Sequence, residues 1–290
     1  MNLIDANRFL KLTDEEMEEL LALQARIDAD ETLTGYLNEA YKEIYIDNRD
    51  HKEVEVKFNA LVPDDAFHGL FYILVGIKNL EKAIKIFEDH NVSMDILEHT
   101  LQDTALWIRN YKRHNGYLGL ASRSWISVGF KGGLFRLGRM QFEMTEIKQE
   151  TGLDYLKKGD LALEGHVPQG EPLDHDACME SYRRAFPFFE EHFGFHAKAV
   201  HLNTWMLDPE MKKILPPDSN IMKWANDATL LPVEQEMSDL SRFIFGTPTI
   251  DLKTAPRDTS LRRKILEHLE AGGKFCNRAG IIMRETIMGK

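Results

Sequence analysis

Two ionisable residues stand two positions apart in the run LALEGHV: Glu164 and His166. In an extended strand alternate side chains share a face, so this carboxylate and imidazole project together. That pairing suits proton transfer. A half-exposed face of an antiparallel sheet would account for the same pattern. The run AVHLNTW repeats the period with His201, Asn203 and Trp205. Such a row can hold an acyl or amine group in a cleft with Trp205 as its wall. Cross-strand polar pairing plus one packed tryptophan is the plainer alternative. Glu164, His166 and His201 are therefore the candidate bases, and Asn203 and Trp205 are candidate substrate contacts. Glu143, in FRLGRMQFEM, joins the substrate set. By strand alternation Arg139 shares a face with Leu137, Gln141 and Glu143, which suggests a structural Arg139–Glu143 pair, and Arg136 faces the other way.

Between these runs lies the loop Val167–Asp174, broken by Pro168, Gly170 and Pro172. A helix, HDACMESYRRAFPFFEEHF, follows it. A helix that begins just after a strand points its free N–H groups into the gap beyond the strand, a natural seat for phosphate or pyrophosphate. Val167, Gln169 and Gly170 would line that seat, and Gly170 permits close backbone approach. Asp174 can cap the helix. Arg183 and Arg184 would bring positive charge from roughly two to three turns further on. A surface loop with solvated arginines reads equally well. Cys178, on the same helix, has no partner in the sequence that marks it as a nucleophile.

The elements that must position these residues are strand, strand, helix, strand. The expected strands are Phe135–Met144, Asp160–Pro168 and Ala199–Trp205. Short helices are expected near Pro209–Ile214 and Asn220–Asp227. Beyond them come a strand near Arg242–Gly246, a helix from Thr259–Ser260 to Leu269, and a closing strand at Gly280–Met283. Residues 1–130 read as helices throughout. Thr13 and Glu16 form a capping box, with Met17, Leu20, Leu21 and Ile27 at helical spacing behind it. Leu33, Leu37 and Ile44 mark a second face. Pro63 is placed as a first-turn proline of a third segment carrying Phe67, Leu70, Phe71 and Leu74. A fourth segment near Leu80–His90 follows, and Ser93 caps a fifth. Another short helix is expected at Ala121–Phe130. The change of period places a boundary near residue 130, with domains at 1–130 and 131–290.

Composition narrows the class. At 290 residues, 43% hydrophobic and 29% charged, the chain is long enough for two globular domains. The opening stretch MNLIDANRFLKLTDEE has no basic region followed by an apolar core, so no secretory leader is expected. Two cysteines in no metal-ligand spacing suit a reducing cytoplasm. A net charge of −11 speaks against nucleic acid and anionic membrane as partners. The absence of HExxH and CxxC gives no support to a metal. The absence of GxxxxGK[ST], GxGxxG and GxSxG disfavours P-loop, dinucleotide-binding and serine-esterase chemistry.

Five segments together resemble a known family: FRLGRMQFE, GHVPQGEPLDHDACMESYRRAFPFFEEHF, NTWMLDPEMKKILPPDSNI, SRFIFG and TSLRRKILEHLEAGGKF. They are similar to the C-terminal domain of bacterial acyltransferases related to the GNAT superfamily, which also carry a helical N-terminal domain. The resemblance implies an α+β fold: helical N-terminal domain, then a GNAT-like mixed to antiparallel sheet with flanking helices. It implies that LALEGHV and AVHLNTW are the two strands that splay around acyl-CoA, with the pyrophosphate at the loop after the first. It implies N-acyl transfer, most simply from acetyl-CoA, to an amine of a small molecule or peptide, without a metal. The helical domain would cover the cleft or form a homodimer surface. The superfamily loop Q/R-x-x-G-x-G/A is replaced here by a loop with one glycine, two prolines and Glu171. That departure motivates the alternative of a non-catalytic relative that binds a ligand or a protein partner. A weaker third reading is a hydrolase using the same His, Glu and Asn residues.

Overall fold

The computed structural model describes residues 1–49, 53, 67–235 and 239–289. The chain divides into two compact units, Met1–Arg136 and Leu137–Lys290.

Up to Phe130 every described element of the first unit is helical. The helices are α1 (Leu3–Leu10), α2 (Asp14–Asp28), α3 (Glu31–Tyr41, continued by one wide turn to Ile46), α4 (Phe71–Asp89), α5 (Met94–Leu101), α6 (Asp103–Asn115) and α7 (Arg123–Phe130). The capping box expected at Thr13 is formed. Glu16 N–H donates to Thr13 Oγ1 at 3.3 Å, and Thr13 N–H donates to the Glu16 carboxylate at 2.8 Å. The same carboxylate, almost fully buried, accepts from Arg109 at 2.8 and 3.0 Å. One side chain thus starts α2 and ties it to α6. The segments expected at Phe71 and Leu80 are one helix, because nothing between them breaks the pattern. Residues 71–77 of α4 are all buried, so it is the central helix of this unit. Gly76 lets α7 come close, since a Cβ there would stand 2.5 Å from the Phe130 ring. Asn79 closes the contact by donating to the Phe130 carbonyl at 2.8 Å. The start expected at Pro63 lies outside the described residues.

The second unit is a six-stranded sheet in the order β1-β2-β3-β4-β6-β5. Its strands are β1 (Phe135–Leu137), β2 (Met140–Glu146), β3 (Leu161–His166), β4 (Ala199–Thr204), β5 (Thr229–Gln235) and β6 (Asn277–Met283). Pairing is antiparallel at β2–β3, β4–β6 and β5–β6, and parallel at β3–β4. Parallel neighbours need a crossover, and α8 (His175–Phe193) supplies it. Cys178, Ser181, Tyr182, Ala185, Phe186 and Phe189 form its buried stripe. Tyr182 meets Phe142 of β2 ring to ring at 6.0 Å and accepts a hydrogen bond from Trp224 at 2.8 Å. The opposite face of the sheet buries Ala162, Ala199, Leu231, Ala279 and Ile281 with Ile147 and Leu156. The shorter helices are α9 (Met211–Ile214), α10 (Asn220–Ala225), α11 (Ser260–Glu270) and α12 (Arg284–Met288). Among the described residues no helix is long and apolar enough to cross a membrane.

Three expectations are corrected. FRLGRMQFEM is not one strand but the hairpin β1–β2, turning at Gly138 with φ +90°. Arg139 therefore leaves the strand alternation and binds loop carbonyls, and the Glu143 carboxylate pairs with His166 instead. Arg242–Gly246 is a wide helical turn, Ser241–Phe245, rather than a strand. β5 was not expected because Pro232 interrupts its run. It is tolerated because β5 is an edge strand and its register shifts between Leu230 and Glu234.

Replacing Glu16 with Ala removes a cap and an ionic partner together. Thermal or urea unfolding of Glu16→Ala is expected to show a loss of about 1–3 kcal/mol, whereas Glu15→Ala, on the exposed side of the same turn, stays near wild type.

Candidate active site

The parallel pairing of β3 with β4 runs from Ala162↔Ala199 through Leu163↔Val200 to Glu164↔His201 and stops. β3 continues to His166 and β4 to Thr204. Beyond Glu164 and His201 the two strands are not paired, and this unpaired end, open toward their C-terminal ends, is a wedge in the sheet's hydrogen bonding. Backbone groups facing such a gap need partners, and an extended ligand can supply them as an added strand does.

Register and alternation set Gln141 and Glu143 of β2, Glu164 and His166 of β3, and His201 and Asn203 of β4 on one face. Glu143 stands directly opposite Glu164, an arrangement that like charges oppose. Each carboxylate instead takes an imidazole. Glu143 Oε1 lies 2.7 Å from His166 Nε2, and Glu164 Oε2 lies 2.6 Å from His201 Nδ1. All four side chains are part-buried, between 17% and 29% exposed, so they are held yet reachable from solvent. A carboxylate on Nδ1 favours the tautomer with the proton there and leaves the Nε2 lone pair for another group. The Glu164–His201 pair sits at the apex of the wedge, at the last paired position. Asn203 is exposed on the same face, one alternation nearer the opening.

Trp205 is placed elsewhere. β4 ends at Thr204, and the chain turns into a short 3-10 helix, Trp205–Leu207. Trp205 is buried in a cluster with Met211, Met222, Leu240, Phe245, Ile265 and Leu266. Strand alternation does not reach it, and it packs a core rather than walling the His201 face.

The loop after β3 is organised from below by Arg139. Its guanidinium donates to the carbonyls of Pro172 at 2.8 Å, Pro168 at 2.9 Å and Glu171 at 2.9 Å. Arg139 is only 6% exposed. Its own N–H donates to Ser181 Oγ of α8 at 2.8 Å. Val167 and Gln169 are half-buried, and Gly170 is exposed with φ +93°, a left-handed position that glycine accepts freely. Asp174 caps α8, accepting from Ala177 N–H at 2.9 Å. Glu171, Asp174 and Asp176 put three carboxylates around this helix start, so the helix dipole there is partly offset. Arg183 and Arg184 lie on the exposed side of α8, roughly two to three turns beyond Asp174. Arg183 is 3.6 Å from Glu180, and the Arg184 guanidinium lies beside the β1–β2 turn at Gly138. The positive charge at the loop is Arg139, which strand alternation hid. The Leu-Gly-Arg turn was the available signal.

Cys178 is a core thiol. Burial pushes its pKa up to about 11, which suits packing and not nucleophilic attack. Among the described residues no group of three or more His, Cys, Asp or Glu stands ready to hold a metal ion.

Residues 1–132 match the N-acyltransferase N-terminal domain, and residues 134–282 match the GNAT-like C-terminal domain. The chain belongs to this family of GNAT-like acyltransferases, and it is an acyltransferase. Among solved structures it is similar to an acyltransferase mutant in complex with octanoyl-CoA. The two are 26% identical with a TM-score of 0.79, over 97% of this chain and 87% of that one. The same values hold for an acyltransferase in complex with CoA and 10C-teicoplanin. A decanoyl-CoA complex is 25% identical with a TM-score of 0.78, over 97% and 86%. No curated protein matches the chain.

The start of α8 offers a pH test. His175 sits between Asp227, 2.8 Å from Nε2, and Asp176, 3.3 Å from Nδ1. Burial works against its charge, but the two carboxylates outweigh it and raise its pKa. A histidine with a raised folded pKa stabilises the fold fully below the unfolded value of about 6.5. That contribution fades as pH rises through the folded value. Wild type is therefore expected to melt higher than His175→Gln at pH 5.5, with the gap closing by pH 8.5, as followed by circular dichroism.

Proposed function

We propose that the protein transfers a fatty acyl group from acyl-CoA to an amine of a small molecule, with His201 as the general base. The observation that carries this is the position of the Glu164–His201 pair, at the apex of the wedge where β3 and β4 part. A thioester lying along the wedge with its reactive end at the apex meets this pair first. The pantetheine arm carries amides suited to the backbone groups of the open strand edges, and the loop at 167–173 lies where the diphosphate would follow.

In this reading the acceptor amine attacks the thioester carbonyl carbon. A carbon–nitrogen bond forms, the carbon–sulfur bond breaks, and CoA leaves as the thiolate. His201 Nε2 takes the proton from the amine, while Glu164 holds Nδ1 and steadies the imidazolium. Glu143 and His166 form a second pair on the same face, and with Asn203 they are suited to bind the acceptor. The similar solved acyltransferases hold octanoyl-CoA and decanoyl-CoA. This favours a medium-length acyl group over the acetyl group expected from the sequence. One of those structures holds 10C-teicoplanin with CoA, which supports a small-molecule acceptor.

The test is CoA thiol release from octanoyl-CoA in the presence of a panel of amines, read with a thiol reagent. Wild type is expected to release thiol only when an acceptor is present. His201→Gln is expected to lose about 10²–10⁴-fold in kcat while still binding octanoyl-CoA by calorimetry. Binding of octanoyl-CoA without turnover against any amine would favour a non-catalytic ligand-binding relative. Thiol release independent of acceptor would favour a hydrolase.

A further inference from the structure

We infer that Arg139 is a positioning residue for the acyl donor: its buried guanidinium moulds the turn at 168–172 so that the Leu173 N–H is presented to the donor's diphosphate. This rests on the proposal that acyl-CoA occupies the wedge.

The loop lacks the closely spaced glycines that let a backbone curl around phosphate, and Pro168 and Pro172 remove two donors from it. Some other force must set its shape. Arg139 is that force on geometric grounds. It reaches from the β1–β2 turn and gathers three carbonyls of the loop at 2.8–2.9 Å. A trans peptide holds its C=O and the following N–H on opposite sides. Turning the Pro172 carbonyl inward turns the Leu173 N–H outward, so this donor faces away from the guanidinium. Gly170, two residues before Pro172, has the left-handed backbone that this path requires. The buried positive charge also lies beneath a loop end bearing Glu171, Asp174 and Asp176, and it offsets the repulsion those carboxylates would exert on a diphosphate. Ser181 fixes the Arg139 backbone from α8. It accepts from Arg139 N–H and Met140 N–H, at 2.8 and 3.3 Å, while donating to Ala177 O at 2.9 Å. The loop, the hairpin turn and the first turns of α8 are in this way one hydrogen-bonded body.

The experiment compares two donors in the full chain by calorimetry: octanoyl-CoA, and S-octanoyl-pantetheine, which lacks the diphosphate and nucleoside. Wild type is expected to bind octanoyl-CoA the more tightly. Arg139→Met is expected to weaken octanoyl-CoA about thirtyfold and S-octanoyl-pantetheine less than about threefold. Arg139→Lys keeps the charge but satisfies fewer carbonyls, so it is expected to fall between, and it carries the comparison if the Met variant does not fold. Comparing donors within one variant cancels a general loss of folded protein. Equal losses for both donors, or no loss for either, would overturn the inference. So would a wild type that binds the two donors equally well, which leaves the wedge reading intact. A wild type that binds neither donor would remove the wedge reading and this inference with it.

Discussion

The site depends on one constraint of sheet geometry, a parallel strand pair that is allowed to pair over only part of its length. β3 and β4 run in the same direction because α8 crosses between them, and they share a register only from Ala162↔Ala199 to Glu164↔His201. A fully paired sheet would satisfy every backbone group and leave nothing to bind. A sheet open along its whole length would have no floor. The partial pairing gives both a floor and two unpaired edges. At Gly165 a Cβ would meet Leu202 and Val200 side chains at 2.8 Å, so the absence of a side chain there lets β3 stay close to β4 at the base of the wedge.

The chemistry follows from where that floor falls. Strand period places a carboxylate and an imidazole at the last paired position, and parallel register places them on the same face. Two glutamates directly opposite would destabilise an ordinary sheet, yet here each is hydrogen-bonded to a histidine. The apolar half of the same face, with Ala162, Ala199, Ala279 and Ile281, anchors the sheet. The polar row is carried at its edge, where solvent and ligand can reach it. On the other face α8 buries an aromatic stripe, so the wedge walls rest on packed side chains and not on loops alone.

Much of this was legible from residue spacing. The period-two runs around Glu164 and His201 became strands that share a face, and the helix after Asp174 formed as its apolar stripe required, with Asp174 as its cap. The Thr13–Glu16 box formed because its two hydrogen bonds are local. What was not legible depended on tertiary geometry. Glycine at position 138 marked a turn, but ten strand-like residues in FRLGRMQFEM hid it, and with it the path of Arg139 into the loop. Trp205 continued an apparent alternation that β4 abandons one residue earlier for an apolar cluster assembled from distant segments. Pro232 disguised an edge strand. The Glu143–His166 pairing is a diagonal across two strands, which no reading of either strand by itself reveals.

The central claim is that an acyl thioester lies between the open ends of β3 and β4 with its reactive end beside Glu164 and His201. Amide hydrogen exchange of the full chain with and without octanoyl-CoA tests it most directly. Added protection is expected at residues 165–169 and 202–204, with β1 and the described helices of residues 1–130 changed little. Protection confined to other segments, with these two stretches exchanging as before, would contradict it.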